Sequence, residues 1–259
     1  MQELVNEIKQ WMKEAADQIK VALTEEVFVD TKTDRKDLVT NVDKMTQDFL
    51  ISKMKQFDPE AKILGEENNL DSLSDFSGRV FIIDPIDGTM NFVLEQQHFC
   101  IMIAVYQDGI GQLGFIYDVM GERFLHGGPT IGVYLNDQRI VHPDNRALSE
   151  GLLGMNAVMY ARNRFNAQVM GDHALGVRVS GCAGVELIEM ALGNRVGYVS
   201  NLSPWDYAAG GVILQTLGMK MSGIFGEDLQ FSGREYFIAG TQQSYQELLD
   251  LALQSRLSE

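Results

Sequence analysis

The sequence predicts an α/β protein, one unit in two halves, in which each half contains a sheet covered by helices. Helical apolar spacing at the N-terminus, β-rich runs up to about residue 145, and alternating helical and strand-like segments beyond about residue 150 support this prediction. With 259 residues, 45% of them apolar, the chain can bury a large core. We expect a single domain over 1–259, with halves at about 1–145 and about 146–259.

The N-terminal half begins with two amphipathic helices. Apolar residues recur at three- and four-residue steps between Leu4 and Leu23, which predicts a first helix. The same spacing predicts a second helix from about Asn41 to Phe57, and Pro59 lies just beyond its end.

Short runs rich in β-branched and aromatic residues predict the strands that follow. These strands are Lys62–Leu64, Val80–Ile83, Cys100–Tyr106, Leu113–Asp118, Arg123–His126 and Gly132–Leu135. Asp108-Gly109 and Asn136-Asp137 are typical hairpin turns, so we expect antiparallel pairing in this region.

The C-terminal half is predicted to alternate between strands and helices. The predicted elements, in chain order, are strand Leu152–Ala157, helix Arg164–Met170, strand Val177–Ser180, helix Ala183–Leu192, strand Val196–Ser200, helix Trp205–Leu217, strands Lys220–Ser222 and Tyr236–Ala239, and helix Ser244–Leu257. Such an order is typical of a sheet with helices packed on it.

Charge and cysteine content limit the classes of function. With 21 Lys and Arg against 36 Asp and Glu, the net charge is −15, which argues against binding to nucleic acid or to an anionic membrane. The two cysteines, Cys100 and Cys182, are too few for a disulfide framework. Charged residues stand near the N-terminus, where a signal peptide is apolar. The sequence therefore predicts a cytoplasmic protein. In a protein this acidic, metal ions could supply the positive charge that binding of a phosphorylated small ligand needs.

Several familiar motifs are missing or stand in the wrong context. Gly109, Gly111 and Gly114 match the GxGxxG pattern, but the residues that follow predict a strand instead of a helix, which favours a hairpin. The four histidines show no metal-ligand spacing, and the chain has neither a GxSxG elbow nor a P-loop. A nucleotide-binding oxidoreductase stays open only if the Gly109 motif begins a helix.

The segment after the second predicted strand is the strongest functional signal. An apolar strand ends in Asp84–Thr89 (DPIDGT), so two carboxylates stand on a turn constrained by proline and glycine. Carboxylate oxygens are the ligands that Mg²⁺ prefers. If a helix begins at Asn91, the amides of Gly88, Thr89 and Met90 would form a cradle for a phosphate. An Asp-rich surface turn is the structural alternative.

Three further segments place acidic residues at the ends of predicted elements. Glu66 follows a short strand, Asp206 stands in the first turn of a helix, and Asp43 stands in the first turn of another helix, which Thr40 or Asn41 could cap. Taken singly, each has an ordinary explanation: a solvated turn, a favourable interaction with a helix dipole, or capping.

Together these segments resemble the inositol monophosphatase family, metal-dependent phosphatases of the fructose-1,6-bisphosphatase-like superfamily. The matching motifs are DLVTNVD at Asp37–Asp43, GEE at Gly65–Glu67, DPIDGTMNF at Asp84–Phe92 and WDYAAGG at Trp205–Gly211. The resemblance implies a layered α/β/α/β/α sandwich. It also implies hydrolysis of a small phosphate monoester, inositol-1-phosphate or a related sugar phosphate, by a metal-activated water.

The resemblance further implies roles for individual residues. The ligands of two or three Mg²⁺ ions, with Mn²⁺ as an alternative, would be Glu66, Asp84, the carbonyl of Ile86, Asp87 and Asp206. Catalysis would use Glu66 and Thr89 to position the water, and Asp43 to hold the Thr89 hydroxyl. The substrate would contact Asp87, Gly88, Thr89, Met90, Gly181, Cys182, Ala183 and Asp206.

Other implications concern the substrate and the assembly. The resemblance implies a homodimer. It also places Lys32 on a mobile loop near the third metal ion. Arg178 could bind a substrate anion or pair with a surface acid. Animal inositol enzymes carry a glutamate shortly before the WD pair, whereas Val199–Pro204 contains no acid. Fructose-1,6-bisphosphate, a nucleotide 3′-phosphate and the 2′-phosphate of NADP therefore stay open as substrates. A regulatory protein that retains the fold is a further alternative.

Overall fold

Two large β-sheets alternate with layers of helices, which confirms the predicted sandwich, and a third sheet consists of two short antiparallel strands. The computed structural model describes residues 1–24, 27–31, 38–67, 70 and 72–256. Within these residues, none of the helices has the length and apolar content that crossing a membrane requires.

The secondary-structure elements have the following bounds. The helices are α1 (Gln2–Ala22), α2 (Asn41–Phe57), α3 (Thr89–Glu95), α4 (Ala157–Ala161), α5 (Ala167–His173), α6 (Ala183–Ala191), α7 (Pro204–Thr216) and α8 (Gln242–Ser255). The strands are β1 (Val29–Thr31), β2 (Leu38–Thr40), β3 (Lys62–Gly65), β4 (Arg79–Asp87), β5 (Cys100–Gln107), β6 (Ile110–Asp118), β7 (Arg123–Gly128), β8 (Gly132–Leu135), β9 (Gln138–Ile140), β10 (Leu152–Met155), β11 (Gly176–Arg178), β12 (Gly197–Leu202), β13 (Lys220–Gly223) and β14 (Glu235–Gly240).

The first sheet has seven strands in the order β3-β4-β5-β6-β7-β8-β9. β3 and β4 are parallel, and the other pairs are antiparallel. Side chains alternate between its faces, as the two-residue period of a strand requires. Along β4, Phe81 and Ile83 pack with α1 and α2, whereas Val80 and Ile82 belong to the core on the opposite face.

Helices α6 and α7 lie between the two sheets. The second sheet has five strands in the order β11-β10-β12-β14-β13. Apolar residues of α6 and α7 share one core with β4, β5 and β6 on one side and with β12 and β14 on the other. Nearly every side of α7 is buried, which explains why this segment is apolar all round. The outer face of the second sheet packs against α4, α5 and α8.

A β-bulge in β6 interrupts the pairing with β5. Tyr106 pairs with Gly111, but Val105 pairs with Leu113, so Gln112 is an extra residue without a partner on β5. An extra residue shifts the alternation of side chains by one. Residues on either side of the bulge that are three apart therefore share a face of the sheet.

The bulge explains the glycines that match GxGxxG. Gly111 and Gly114 lie on the face covered by α7, where a Cβ on Gly111 would stand 2.5 Å from Val212 Cγ2 and one on Gly114 would stand 2.1 Å from the Ala209 carbonyl oxygen. These glycines allow α7 to approach the sheet closely. The hairpin interpretation is confirmed, because Gly111 and Gly114 lie within strand β6 and the residues after them continue that strand.

Local differences from the predicted elements arise mainly from capping. Ala157 begins α4 instead of ending a strand, because the Asn156 side chain accepts hydrogen bonds from the first N–H groups of the helix. The helix after Gly88 begins at Thr89 instead of Asn91, since Gly88 has φ +86° and ends the preceding strand. The predicted helix at Arg164–Met170 begins as a 3₁₀ turn, and its α-helical part starts only at Ala167.

Other differences concern length and short elements. Strand β4 continues through Asp87 instead of ending at Ile83, and the second sheet's β11 ends at Arg178 instead of Ser180. The short strands β1, β2 and β9 were not predicted. Leu257, the predicted end of the last helix, lies outside the described residues.

We expect Gly114→Ala to lower the melting temperature, because the added methyl group would overlap the Ala209 carbonyl. Overpacking of this kind costs about 1–3 kcal/mol, which corresponds to a decrease of about 3–10 °C for a chain of this size. Differential scanning calorimetry measures it. Gly176→Ala is the matched control, since a Cβ there meets no atom closer than 3.5 Å. An equal effect of the two substitutions would contradict the close-approach argument.

Candidate active site

Acidic residues from both halves of the chain meet at one edge of the first sheet. Because β3 and β4 are parallel, their C-terminal ends lie side by side, and Glu66 follows one strand while Asp84 and Asp87 end the other. Asp206 comes from the first turn of α7, which is packed against the same sheet. Its carboxylate accepts a hydrogen bond from the Ser203 N–H at 2.9 Å, so helix capping fixes its orientation.

A second β-bulge aligns the two aspartates of β4. Asp84 pairs with Met102 of β5, and Asp87 pairs with Cys100, so three steps along β4 correspond to two along β5. The two carboxylates therefore lie on one face of the sheet, although they are three residues apart. Ile86 belongs to the apolar core on the other face, and its N–H donates to Asp84 Oδ1 at 3.1 Å.

The carboxylates of Asp84, Asp87 and Asp206 form a buried cluster. Oxygens from the three groups lie within 4.8 Å of one another, and none of these residues is more than 7% exposed. Burial raises the pKa of Asp84 well above its usual value, and the charges of Glu66, Asp87 and Asp206 raise it further. Burial and Asp87 raise the pKa of Asp206 to about 6. Ionised together, the three groups repel one another, and a divalent cation bound between them would offset this repulsion.

The N-terminus of α6 holds Asp87 in place. Its Oδ1 accepts a hydrogen bond from the Ala183 N–H at 3.2 Å, and its Oδ2 accepts one from the Gly184 N–H and one from the Cys182 thiol at 3.0 Å. Burial is the main cause that raises the pKa of Asp87, and these hydrogen bonds act in the opposite direction. A Cβ on Gly184 would stand 2.8 Å from Cys100 Cβ, so glycine is needed for this approach.

Asp43 and Thr89 connect α2 to the site. Asp43 is fully buried, and its Oδ2 accepts hydrogen bonds from the N–H and the hydroxyl of Thr40, which confirms that Thr40 caps α2. The Thr89 hydroxyl lies 3.3 Å from Asp43 Oδ1 and 3.2 Å from the Ile86 carbonyl oxygen. Asp43, which completes the capping box of α2, therefore also orients a hydroxyl at the start of α3.

Most of the site residues predicted from the sequence line one cavity of about 410 Å³. Its walls include Glu66, Asp84, Ile86, Asp87, Gly88, Thr89, Met90, Gly181, Cys182, Ala183 and Asp206. Asp43 is not among the lining residues, but its Oδ1 contacts the hydroxyl of Thr89, which lines the cavity. Arg178 is exposed and donates to the Val177 carbonyl, away from these walls. Lys32 and Asp37 lie outside the described residues.

The cavity has further polar walls that sequence reasoning missed. Glu186, Tyr198, Asn156 and Arg234 all line it. Glu186 is three residues beyond Ala183 on α6, so helical spacing from the predicted segment could have indicated it. The other three come from distant elements, and no local pattern in the sequence connects them to the acidic motifs.

Comparison with known proteins gives consistent matches along the chain. The family model described as "Inositol monophosphatase family" matches residues 1–257. The inositol-1-monophosphatase of Bacillus subtilis (strain 168) is 35% identical over 253 residues, with 96% of each chain covered. The fructose-1,6-bisphosphatase/inositol-1-monophosphatase of Thermotoga maritima is 29% identical over 208 residues, which cover 80% of this chain and 77% of that one.

The structure is also similar to solved structures. An IMPase/NADP phosphatase complexed with Mg²⁺ and phosphate superimposes with a TM-score of 0.87 at 26% identity. The match covers 96% of this chain and 95% of that chain.

We expect the metal-free protein to lose stability as pH rises, because the folded state raises the pKa of the clustered aspartates. The contribution of such a group to stability is fully present below the pKa that it has in the unfolded chain. For Asp206 this contribution is lost between about pH 4 and pH 6, where the folded state still holds the proton and the unfolded chain has released it. In a chelator at pH 8, Asp84→Asn should melt about 5 °C above the unsubstituted protein, and the difference should shrink at pH 5.

Thermal melting at the two pH values, with and without Mg²⁺, measures this effect. Mg²⁺ should raise the melting temperature of the unsubstituted protein more than that of Asp84→Asn. Asp144 is exposed, and Asp144→Asn serves as the control. This control should change neither the melting temperature nor its increase with Mg²⁺. If Asp84→Asn melts below the unsubstituted protein in the chelator at pH 8, repulsion among the carboxylates does not dominate the stability of the site.

Proposed function

The chain belongs to the inositol monophosphatase family of phosphoric monoester hydrolases, and from this premise we propose that it hydrolyses inositol-1-phosphate or a related sugar phosphate with Mg²⁺. The observation that supports the proposal most directly is the cluster of Asp84, Asp87 and Asp206 at the wall of one cavity. A buried group of carboxylates with raised pKa values is typical of a cation site.

The proposed metal ligands are Glu66, Asp84, Asp87, Asp206 and the carbonyl of Ile86. This donor set consists only of oxygen atoms, which fits Mg²⁺ and also Mn²⁺. When bound, the ions supply charge for the phosphate oxygens and lower the pKa of a water molecule. We propose two or three ions, because Mg²⁺ keeps several water ligands and is usually held by one or two carboxylates, so four carboxylates can hold more than one ion.

Thr89, Asp43 and Glu66 are the proposed water-positioning groups. Asp43 Oδ2 accepts hydrogen bonds from Thr40, and Asp43 Oδ1 accepts a hydrogen bond from the Thr89 hydroxyl. Thr89 can then use its lone pairs to accept a hydrogen bond from the attacking water. Glu66, at the cavity wall, would hold the same water from the other side. Such fixed groups lower the barrier through orientation, since no rearrangement is needed during the reaction.

The substrate is proposed to contact residues 87–90, residues 181–183 and Asp206. The thiol of Cys182 and the N–H of Ala183 already bind Asp87, so these two groups position the aspartate. The alcohol part of the substrate would lie against the remaining surface of this segment. Asp206 would stand near the departing oxygen.

A second candidate substrate carries a further anionic group. Arg234 lines the same cavity and lowers the pKa of Asp206, so its charge reaches the site. A guanidinium at a cavity wall can bind a phosphate or pyrophosphate. Fructose-1,6-bisphosphate and NADP both carry such a group. The names of the Thermotoga relative and of the solved IMPase/NADP phosphatase are consistent with these substrates.

We also propose that the chain acts as a single-domain homodimer in the cytoplasm. The family resemblance supports the dimer, and the two free cysteines support a reducing compartment. Mass measurement in solution tests the assembly.

We expect Mg²⁺-dependent phosphate release from inositol-1-phosphate that a chelator abolishes. The assay compares inositol-1-phosphate, fructose-1,6-bisphosphate, a nucleotide 3′-phosphate and NADP. Asp84→Asn should remain folded and lose at least about 1,000-fold in turnover, since it removes a proposed ligand of the ions that would stabilise negative charge in the transition state. Release that persists in the chelator would contradict the metal-dependent mechanism. No release from any of the four would favour a regulatory protein that retains the fold.

We expect Arg234→Gln to distinguish the two candidate substrate classes. If Arg234 binds a second anion, the variant should raise KM for fructose-1,6-bisphosphate or NADP about tenfold, and change KM for inositol-1-phosphate much less. Arg178→Gln is the matched control, because that arginine lies outside the cavity walls. If the variant and the unsubstituted enzyme have equal KM values for fructose-1,6-bisphosphate and for NADP, Arg234 does not bind the substrate.

A further inference from the structure

Glu186 is a buried carboxylate in the cavity wall that the proposed reaction does not use. The residue is 2% exposed and lines the cavity. Its Oε2 accepts a hydrogen bond from Arg195 Nε at 2.9 Å. Within the described residues, its Oε1 is buried and has no hydrogen-bond partner.

An unpaired carboxylate oxygen in such a place is costly. Removing it from water without a partner destabilises the folded protein, more so for a charged group than for a neutral one. The ion pair with Arg195, itself only 13% exposed at the side chain, keeps the carboxylate from turning out to solvent. A buried polar group without a partner in a native structure calls for an explanation, such as a functional role or a bound partner.

The position of Glu186 fits the part of the substrate opposite the phosphate. It stands one helical turn beyond Gly181–Ala183, the segment proposed to face the alcohol. Tyr198 is its neighbour, because a Cβ on Gly154 would meet both Glu186 Oε2 at 2.6 Å and Tyr198 Cδ2 at 3.0 Å. Burial raises the pKa of Tyr198, and the charges of Asp87, Glu186 and Asp206 add to it, so this wall lies close to the acidic cluster.

Glu186 also bears on the acid that is missing from Val199–Pro204. The cavity wall formed by that segment includes Ser200, Asn201 and Leu202, none of which has a carboxylate. Glu186 comes from α6 instead, and it brings a carboxylate to the same cavity from the helix layer that packs against the second sheet.

We propose that Glu186 Oε1 accepts a hydrogen bond from a hydroxyl group of the substrate and selects phosphate esters of polyols. The proposal rests on the phosphatase function proposed above. A carboxylate binds a hydroxyl strongly, since the acceptor is charged. An ester without a hydroxyl at this point leaves Oε1 unpaired, and a site of this type discriminates against such a substrate. Glu186 is therefore a specificity residue, and it takes no part in the chemistry at phosphorus.

The test compares two substrates and two variants. Inositol-1-phosphate has hydroxyl groups on its alcohol part, whereas 4-nitrophenyl phosphate has none. Glu186→Gln keeps the size of the side chain and an acceptor for Arg195. Glu189→Gln is the matched control, because Glu189 lies on the same helix, pairs with Arg123 and is outside the cavity walls.

We expect Glu186→Gln to raise KM for inositol-1-phosphate about tenfold more than KM for 4-nitrophenyl phosphate, with similar kcat for both. Glu189→Gln should leave the ratio of the two KM values unchanged. Equal increases of both KM values in Glu186→Gln would overturn the proposal, since they would indicate a purely structural role. If Glu186→Gln does not fold, as circular dichroism would show, Glu186→Asp provides the same comparison with the charge retained.

The phosphatase function itself is tested by the unsubstituted protein in the same assay. If it hydrolyses neither substrate with Mg²⁺, the proposed function fails, and the role of Glu186 fails with it. If it hydrolyses both and the KM ratio is insensitive to Glu186, only the specificity proposal fails.

Discussion

Three carboxylates held within 4.8 Å of one another in a buried site impose the constraint on which the rest of this structure depends. Like charges so close together are unfavourable, and their raised pKa values reflect that cost. The fold offsets part of it with hydrogen bonds from the start of α6 and α7. Each aspartate is therefore fixed by backbone geometry. A flexible surface could not hold such a cluster, because the side chains would separate.

The close approach of helices to the first sheet follows from this constraint. Asp206 reaches the β4 aspartates only if α7 lies directly on β6, and Gly111 and Gly114 leave the space for it. Gly184 has the same function where α6 meets β5. Small residues at these points do not bind ligand themselves. They set the distances between the layers, and those distances decide which side chains can meet.

The sequence predicted the layers and most of the site, since both depend on local patterns. Helical spacing defined α2 within its observed bounds, and the family motifs named every acidic residue of the cluster. The bulges could not be predicted, because Gln112 is extra only with respect to its partner strand. Glu186 and Arg234 were missed for a related reason: their importance lies in the cavity they share with residues far along the chain.

Both bulges are defined against the same strand, β5, and this has a consequence for how the protein can vary. Asp84 and Asp87 lie on one face because of the number of residues between them. The number of residues in this part of the strand therefore matters more than which residues they are. A deletion of one residue within β4 or β6 would turn an entire strand segment over. Evolutionary variation and engineering alike should therefore tolerate exchanges of side chains in these two strands far better than insertions or deletions.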